Sequence, residues 1–251
     1  MSLLGELPEA GQFPSETLAL PSGNAVLNFH QKLGYLYEDA LATMLESTPR
    51  YEVLAKGLQI RDETGRTLGE LDFLLRDSVT ARLIHLELAV KFYLAIQTND
   101  ELLLPGPDAR DNYFRKLDKM RSHQLQLAQK FQHLLPEEFR SKKIDVQHLV
   151  QGCIFQHISS TKPIDAAFLN PNGRRGKWLH ASECEGYFGS KPTLEIIPKA
   201  LWPVPLPQLK EITLAPWHWE QMESRCLMVR TPQSDVPHFI APDDYPIMDR
   251  L

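Results

Sequence analysis

Apolar and polar positions alternate most strongly over residues 68–94, LGELDFLLRDSVTARLIHLELAVKFYL. The pattern predicts a hairpin with strands at Leu68–Arg76 and about Ala81–Leu94. On the first strand Leu71, Phe73 and Leu75 point one way and Glu70, Asp72 and Leu74 the other. On the second, Ile84, Leu86, Leu88, Val90 and Phe92 form an apolar face, and His85, Glu87, Ala89 and Lys91 alternate with them. Residues 50–62, RYEVLAKGLQIRD, alternate as a preceding strand, and the turn Glu63-Thr64-Gly65-Arg66 makes the series antiparallel. Leu27, His30, Leu33, Tyr37, Leu41 and Met44 recur at helical spacing, predicting a helix over 24–47 that Pro49 stops. A second helix is predicted over 111–135 from Tyr113, Leu117, Met120, Leu127, Ala128, Phe131 and Leu135. The β-forming run 146–158 predicts a fourth, central strand.

The flanks are less periodic. Residues 1–23 hold prolines and glycines and predict an extended arm, with Leu18 and Leu20 as its packing residues. Residues 99–112 predict a loop around Pro105, Gly106 and Pro107, whose Asp111 starts the second helix. In the last third, NPNGRRGKW at 170–178 predicts a basic turn and 181–188 a short helix. Strands are expected at 193–197 and 226–230, a short helix at 217–223, and an irregular tail. The organisation is then an arm (1–23), an α/β core of α+β type (24–158) and a C-terminal extension packed on it (159–251).

Composition changes this picture little. The chain has 251 residues, 43% hydrophobic and 24% charged, as a globular domain does. A net charge of -5 argues against a generic nucleic-acid coat protein but not against a local basic groove. Cys153, Cys184 and Cys226 lack metal-ligand spacing, so they are expected to be reduced and structural in a cytoplasmic setting. No apolar run is long enough to span a membrane, and the N-terminus does not read as a secretory signal. No G-x-S-x-G occurs, which leaves little room for a serine hydrolase.

The candidate chemistry lies in the hairpin. Asp72 sits within Leu-Asp-Phe-Leu-Leu, apolar enough to suggest a sheet centre, where a carboxylate is costly unless a cation or donor meets it. Asp72 and Glu87 on adjacent strands either pair across strands in water or converge on one divalent metal. Glu38, on the border of the first helix's stripe, is either a boundary carboxylate paired with a lysine or a third acid facing that cluster. Gln124 falls in the apolar stripe of the second helix and needs polar partners there, while Lys116 and His123 share one flank and Arg121 lies on the other.

A helix carrying Glu38, three meandering strands carrying Asp72 (GELDFLL) and Glu87 with Lys91 (HLELAVKFYL), a helix with Gln124 and a strand together resemble the PD-(D/E)XK nuclease superfamily over residues 24–158. The whole chain is also similar to a bacterial domain family of unknown function placed in that superfamily. The resemblance implies a restriction-endonuclease-like core of order α-β-β-β-α-β, with a mixed central sheet flanked by helices. It implies metal-dependent cleavage of phosphodiester bonds, with Asp72, Glu87 and Glu38 at Mg²⁺ or Mn²⁺ and Lys91 orienting a water. Gln124 and Lys116 would hold the nucleic acid, DNA being favoured over RNA, and a homodimer would reach both strands. One departure is visible: the family lysine stands two residues after the acid, where this chain has Ala89. Glu87 and Lys91 are about 13 Å apart along a regular strand, so Lys91 must lean back, a bulge must shorten the gap, or Lys116 must take the role. The alternative is a catalytically silent member that binds nucleic acid or a protein partner.

Overall fold

The structure is a computed structural model that describes residues 2–23, 26–98, 101–218 and 225–246. Along the chain run β1 (Gly11–Gln12), α1 (Leu33–Glu46), β2 (Tyr51–Arg61), β3 (Thr67–Asp77), β4 (Leu83–Gln97) and β5 (Leu102–Leu103). There follow α2 (Tyr113–Ser122), α3 (Leu127–Lys130), β6 (Ile144–His157), β7 (Arg175–His180), α4 (Cys184–Phe188), β8 (Leu194–Ile196), β9 (Pro216–Trp217), β10 (Leu227–Arg230) and β11 (His238–Ala241). The fold is mixed α/β: parallel and antiparallel strands with a few helices against them. Two compact units form, one from Glu6–Val90 and Leu117–Val150, the other from Met1–Gly5, Lys91–Lys116 and Gln151–Leu251.

The unit that begins at Glu6 is built on the meander β2–β3–β4. Alternation along β4 divides its side chains between two cores. Ile84, Leu86 and Leu88 pack with Phe73 and Leu75 of β3 and with Leu41 and Leu45 of α1. Leu83 joins Leu71 and Leu74 against Leu127 and Ala128 of α3. The face that carries His85 and Glu87 is therefore covered too, and both residues are 0% exposed. The expected arm contributes to this core: Phe13 is fully buried against Tyr51, and Leu18 packs at the margin, whereas Leu20 is exposed. At the end of the hairpin Arg50 donates from Nε and Nη2 to Oδ1 and Oδ2 of Asp77, at 3.1 and 2.8 Å. Asp77 also accepts the Val79 N–H.

Two elements depart from the expected boundaries. Residues 24 and 25 of the expected first helix lie outside the described residues, and the helix starts at Leu33, because Asn28 turns the chain locally, accepting the His30 N–H on its side chain and the Gln31 N–H on its carbonyl. The second helix is not continuous over 111–135. It ends at Ser122, where His123 leaves helical geometry (φ -131°, ψ -65°), and resumes as a 3₁₀ turn at Gln124–Gln126 followed by α3. Its cap is Asn112, whose Oδ1 accepts the Phe114 N–H at 2.9 Å, rather than Asp111.

The other unit carries a parallel arrangement. His157 of β6 stands opposite Trp178 of β7, and His180 of β7 opposite Ala241 of β11, both pairs parallel. Strands β10, β8 and β9 continue antiparallel beyond β11. Strands β7 and β11 fall where a basic turn and an irregular tail were expected. Both are short, and Phe239, Ile240 and Ala241 are buried to the last residue, so no alternation marks β11. Of the helix expected over 217–223, residues 219–223 lie outside the described residues and Trp217 belongs to β9. Burial pushes the thiols of Cys153, Cys184 and Cys226 up to about 12, in keeping with inert structural cysteines. No described helix is long and apolar enough to cross a membrane.

Two predictions follow from this packing. A Cβ built on Gly152 would lie 1.7 Å from the Lys91 carbonyl oxygen, which only backbone movement could relieve. Gly152→Ala should therefore cost about 3 kcal/mol or more, read as a fall in the denaturant midpoint. The Arg50 hydrogen bonds hold the Asp77 carboxyl down at about 2 against the opposing effect of burial. A depressed carboxyl stabilises fully above its unfolded value, near 3.8, and that stabilisation is lost as pH falls toward 2. Wild type should lose about 1–2 kcal/mol in that window that Asp77→Asn does not lose, measured by denaturant titration at each pH.

Candidate functional site

Strands β3 and β4 pair from Arg76/Leu83 to Phe73/Leu86, and the regular ladder stops there. Continuing the register would put Asp72 opposite Glu87. The two acids thus stand at the point where the strands part. Instead of a ladder bond, Asp72 Oδ2 accepts the Leu88 N–H at 2.7 Å, which fixes the half-buried carboxylate against the backbone next to Glu87.

Glu87 is held from two sides. His85 Nε2 lies 2.8 Å from its Oε1, and Gln124 Nε2 donates to Oε2 at 2.9 Å. His85 is two residues back on the same strand and so shares its face. Gln124 reaches Glu87 because the second helix breaks at His123, turning residues 124–126 toward the sheet. A fully buried carboxylate costs several kcal/mol unless donors meet it, and these two donors meet both oxygens. Nδ1 of His85 is buried with no partner.

The half-buried Glu38 carboxyl is raised above its usual range. Burial is the main cause, Lys56 opposes it, and the negative charges of Glu70, Asp39 and Glu87 add to it. Glu38 thus feels Glu87 without bonding to it, and the lysine at hand, Lys56, is paired with Asp39. Among the described residues, one set of three His, Cys, Asp or Glu side chains brings its ligand atoms within 4.8 Å of one another, and it is His157, His180 and Glu183. The carboxylates of Glu38, Asp72 and Glu87 are not drawn that close. Magnesium takes one or two carboxylates and keeps several waters, a donor number that Asp72 and Glu87 together would meet.

The remaining expected site residues belong to the other unit. Lys91 Nζ is bound to Asp111 Oδ2 at 2.6 Å. Lys116 is half-buried in the first part of α2. The partnership of His85 with Glu87 was not anticipated, although their i, i+2 spacing on one strand was visible. The His157, His180 and Glu183 set was also missed, because only the His180/Glu183 spacing is local.

No curated protein and no solved structure matches the chain. A family described as Domain of unknown function (DUF1853) matches residues 12–240, which takes in the whole meander, the Asp72/Glu87 pair, the strands through β10 and most of β11. On that match the chain belongs to the DUF1853 family.

Proposed function

We propose that the protein is a metal-dependent nuclease-like hydrolase of the PD-(D/E)XK kind, cleaving phosphodiester bonds in DNA, or RNA as the second choice, with Mg²⁺ or Mn²⁺. The observation that carries this reading is the pair of acids at the parting of β3 and β4: Asp72 pinned to the Leu88 N–H, and Glu87 oriented by His85 and Gln124. A helix, three antiparallel strands, a helical segment and a further strand, in that order, support a restriction-endonuclease-like core.

When bound, a divalent ion would supply an activated water and charge against the phosphate oxygens. Asp72 and Glu87 would hold that ion. Glu38, with its raised proton affinity, would take or give a proton at a water beside it. Gln124 serves as a positioning residue for Glu87 rather than as a hand on the nucleic acid, since its amide N–H is directed at Oε2.

A catalytically silent, nucleic-acid-binding or partner-binding member is the second reading. It is favoured by the lysine pattern: Ala89 stands two residues after Glu87, and Lys91 is engaged by Asp111.

The test is cleavage of single- and double-stranded DNA and RNA with Mg²⁺ or Mn²⁺. Asp72→Asn and Glu87→Gln should each lower the rate by about 100-fold or more, with far-UV spectra unchanged. If the wild type cuts nothing yet gains thermal stability from Mg²⁺, and Asp72→Asn loses that gain, the silent reading holds. Gln124→Leu removes a donor from a buried carboxylate and should cost about 1–3 kcal/mol of stability in a thermal melt.

A further inference from the structure

Strands β6, β7 and β11 run parallel as neighbours, and their carboxyl ends come together. In open sheets that edge is where ligands are bound, because the loops leaving it are free to carry chemistry. His157 is the last residue of β6 and His180 the last of β7, and Glu183 follows on the 3₁₀ turn that leaves β7. All three are half-buried. Glu183 Oε2 lies 3.0 Å from His157 Nε2 and 3.3 Å from His180 Nδ1. Ligands at about 2.0–2.1 Å from a tetrahedral zinc ion stand about 3.3 Å from one another, so these spacings match the edges of a zinc site.

The outer nitrogens of both rings are tethered. His180 Nε2 lies 2.9 Å from the Tyr245 carbonyl, an acceptor only, so this nitrogen carries the proton. In the neutral ring the lone pair is then on Nδ1, facing Glu183. Nδ1 accepts the Glu183 N–H and Oε2 the His180 N–H in the capping box, and the two acceptors face each other across the place a cation would take. His157 Nδ1 lies 2.7 Å from Ser159 Oγ and accepts the Ser159 N–H at 3.3 Å, so in the neutral ring Nε2 donates to the same carboxylate, and zinc would take the place of that proton. Such outer bonds set tautomer and ring direction at metal-bound histidines. His180 and Glu183 also form a capping box at the start of their turn. That motif accounts for two of the three, and His157 joins them from a separate strand through its bond to Glu183.

We propose that His157, His180 and Glu183 form a zinc site, with the fourth position open to water or a ligand. Two histidines and a glutamate are a donor set suited to zinc rather than magnesium, so this centre is chemically distinct from Asp72/Glu87. It stands whether or not the nuclease reading does.

The experiment is zinc uptake by the full chain after chelator stripping and dialysis, read by elemental analysis and by competition with a chromogenic chelator. Wild type and Asp72→Asn should each hold about one equivalent, and His157→Ala and His180→Ala should bind more than about 100-fold more weakly. Cobalt loaded into the wild type should give the absorption of a tetrahedral nitrogen–oxygen site. This spectrum needs no variant, so it decides the matter even if the alanine variants fail to fold. Failure of the wild type to take up zinc, undiminished uptake by the folded variants, or a cobalt–thiolate band pointing to a cysteine would each overturn the proposal.

Discussion

A carboxylate with no exposure governs the unit that begins at Glu6. Glu87 lies on a strand whose two faces are both covered, by α1 on one side and by α3 with its flanking turns on the other. Leaving such a group without donors costs several kcal/mol, a large share of a folded domain's net stability. The local architecture answers that constraint. His85 comes from the same strand face, and the helix that would have run on past Ser122 stops, so that Gln124 can present its amide. The break at His123 looks like a defect in a helical stripe, yet it is where the second donor comes from.

The parting of β3 and β4 is the counterpart of this burial. A ladder continued past Phe73/Leu86 would have used the backbone groups that Asp72 now meets. Because Asp72 accepts the Leu88 N–H, that donor keeps a partner where the strands diverge beside Glu87. A carboxylate fixed on a backbone donor, next to one fixed on two side chains, is a preorganised pair with little freedom left to lose when a ligand arrives. Lys56, whose charge lowers the proton affinity of Glu38, is turned to Asp39.

Much of the meander was legible because the side-chain period of a strand is local. Alternation in RYEVLAKGLQIRD and LGELDFLLRD, with a glycine turn between, is enough to set β2 and β3 and to bring Asp72 near Glu87. The first helix was read too long because Leu27 and His30 fit its spacing, while the Asn28 side chain, which closes a turn there, carries no periodic mark. Strands β7 and β11 were missed for the opposite reason: RGKWLH is opened by charges, and HFIA is too short and too uniformly buried to alternate. Leu3, Leu4 and Phe13 look like scattered apolar residues in an arm, yet all three are core.

By itself, the chain determined its three-stranded meander, the placement of two acids on adjacent strands, and three cysteines with no partner spacing. Those features depend on residues within one turn or one hairpin of each other. Tertiary structure alone decided that Glu87 would be met by Gln124 across 37 positions, that Lys91 would be held by Asp111, and that His157 would meet Glu183 across 26. Each of these pairings joins separate elements, and their distances follow from strand register and from where a helix stops. No periodicity along the chain encodes either.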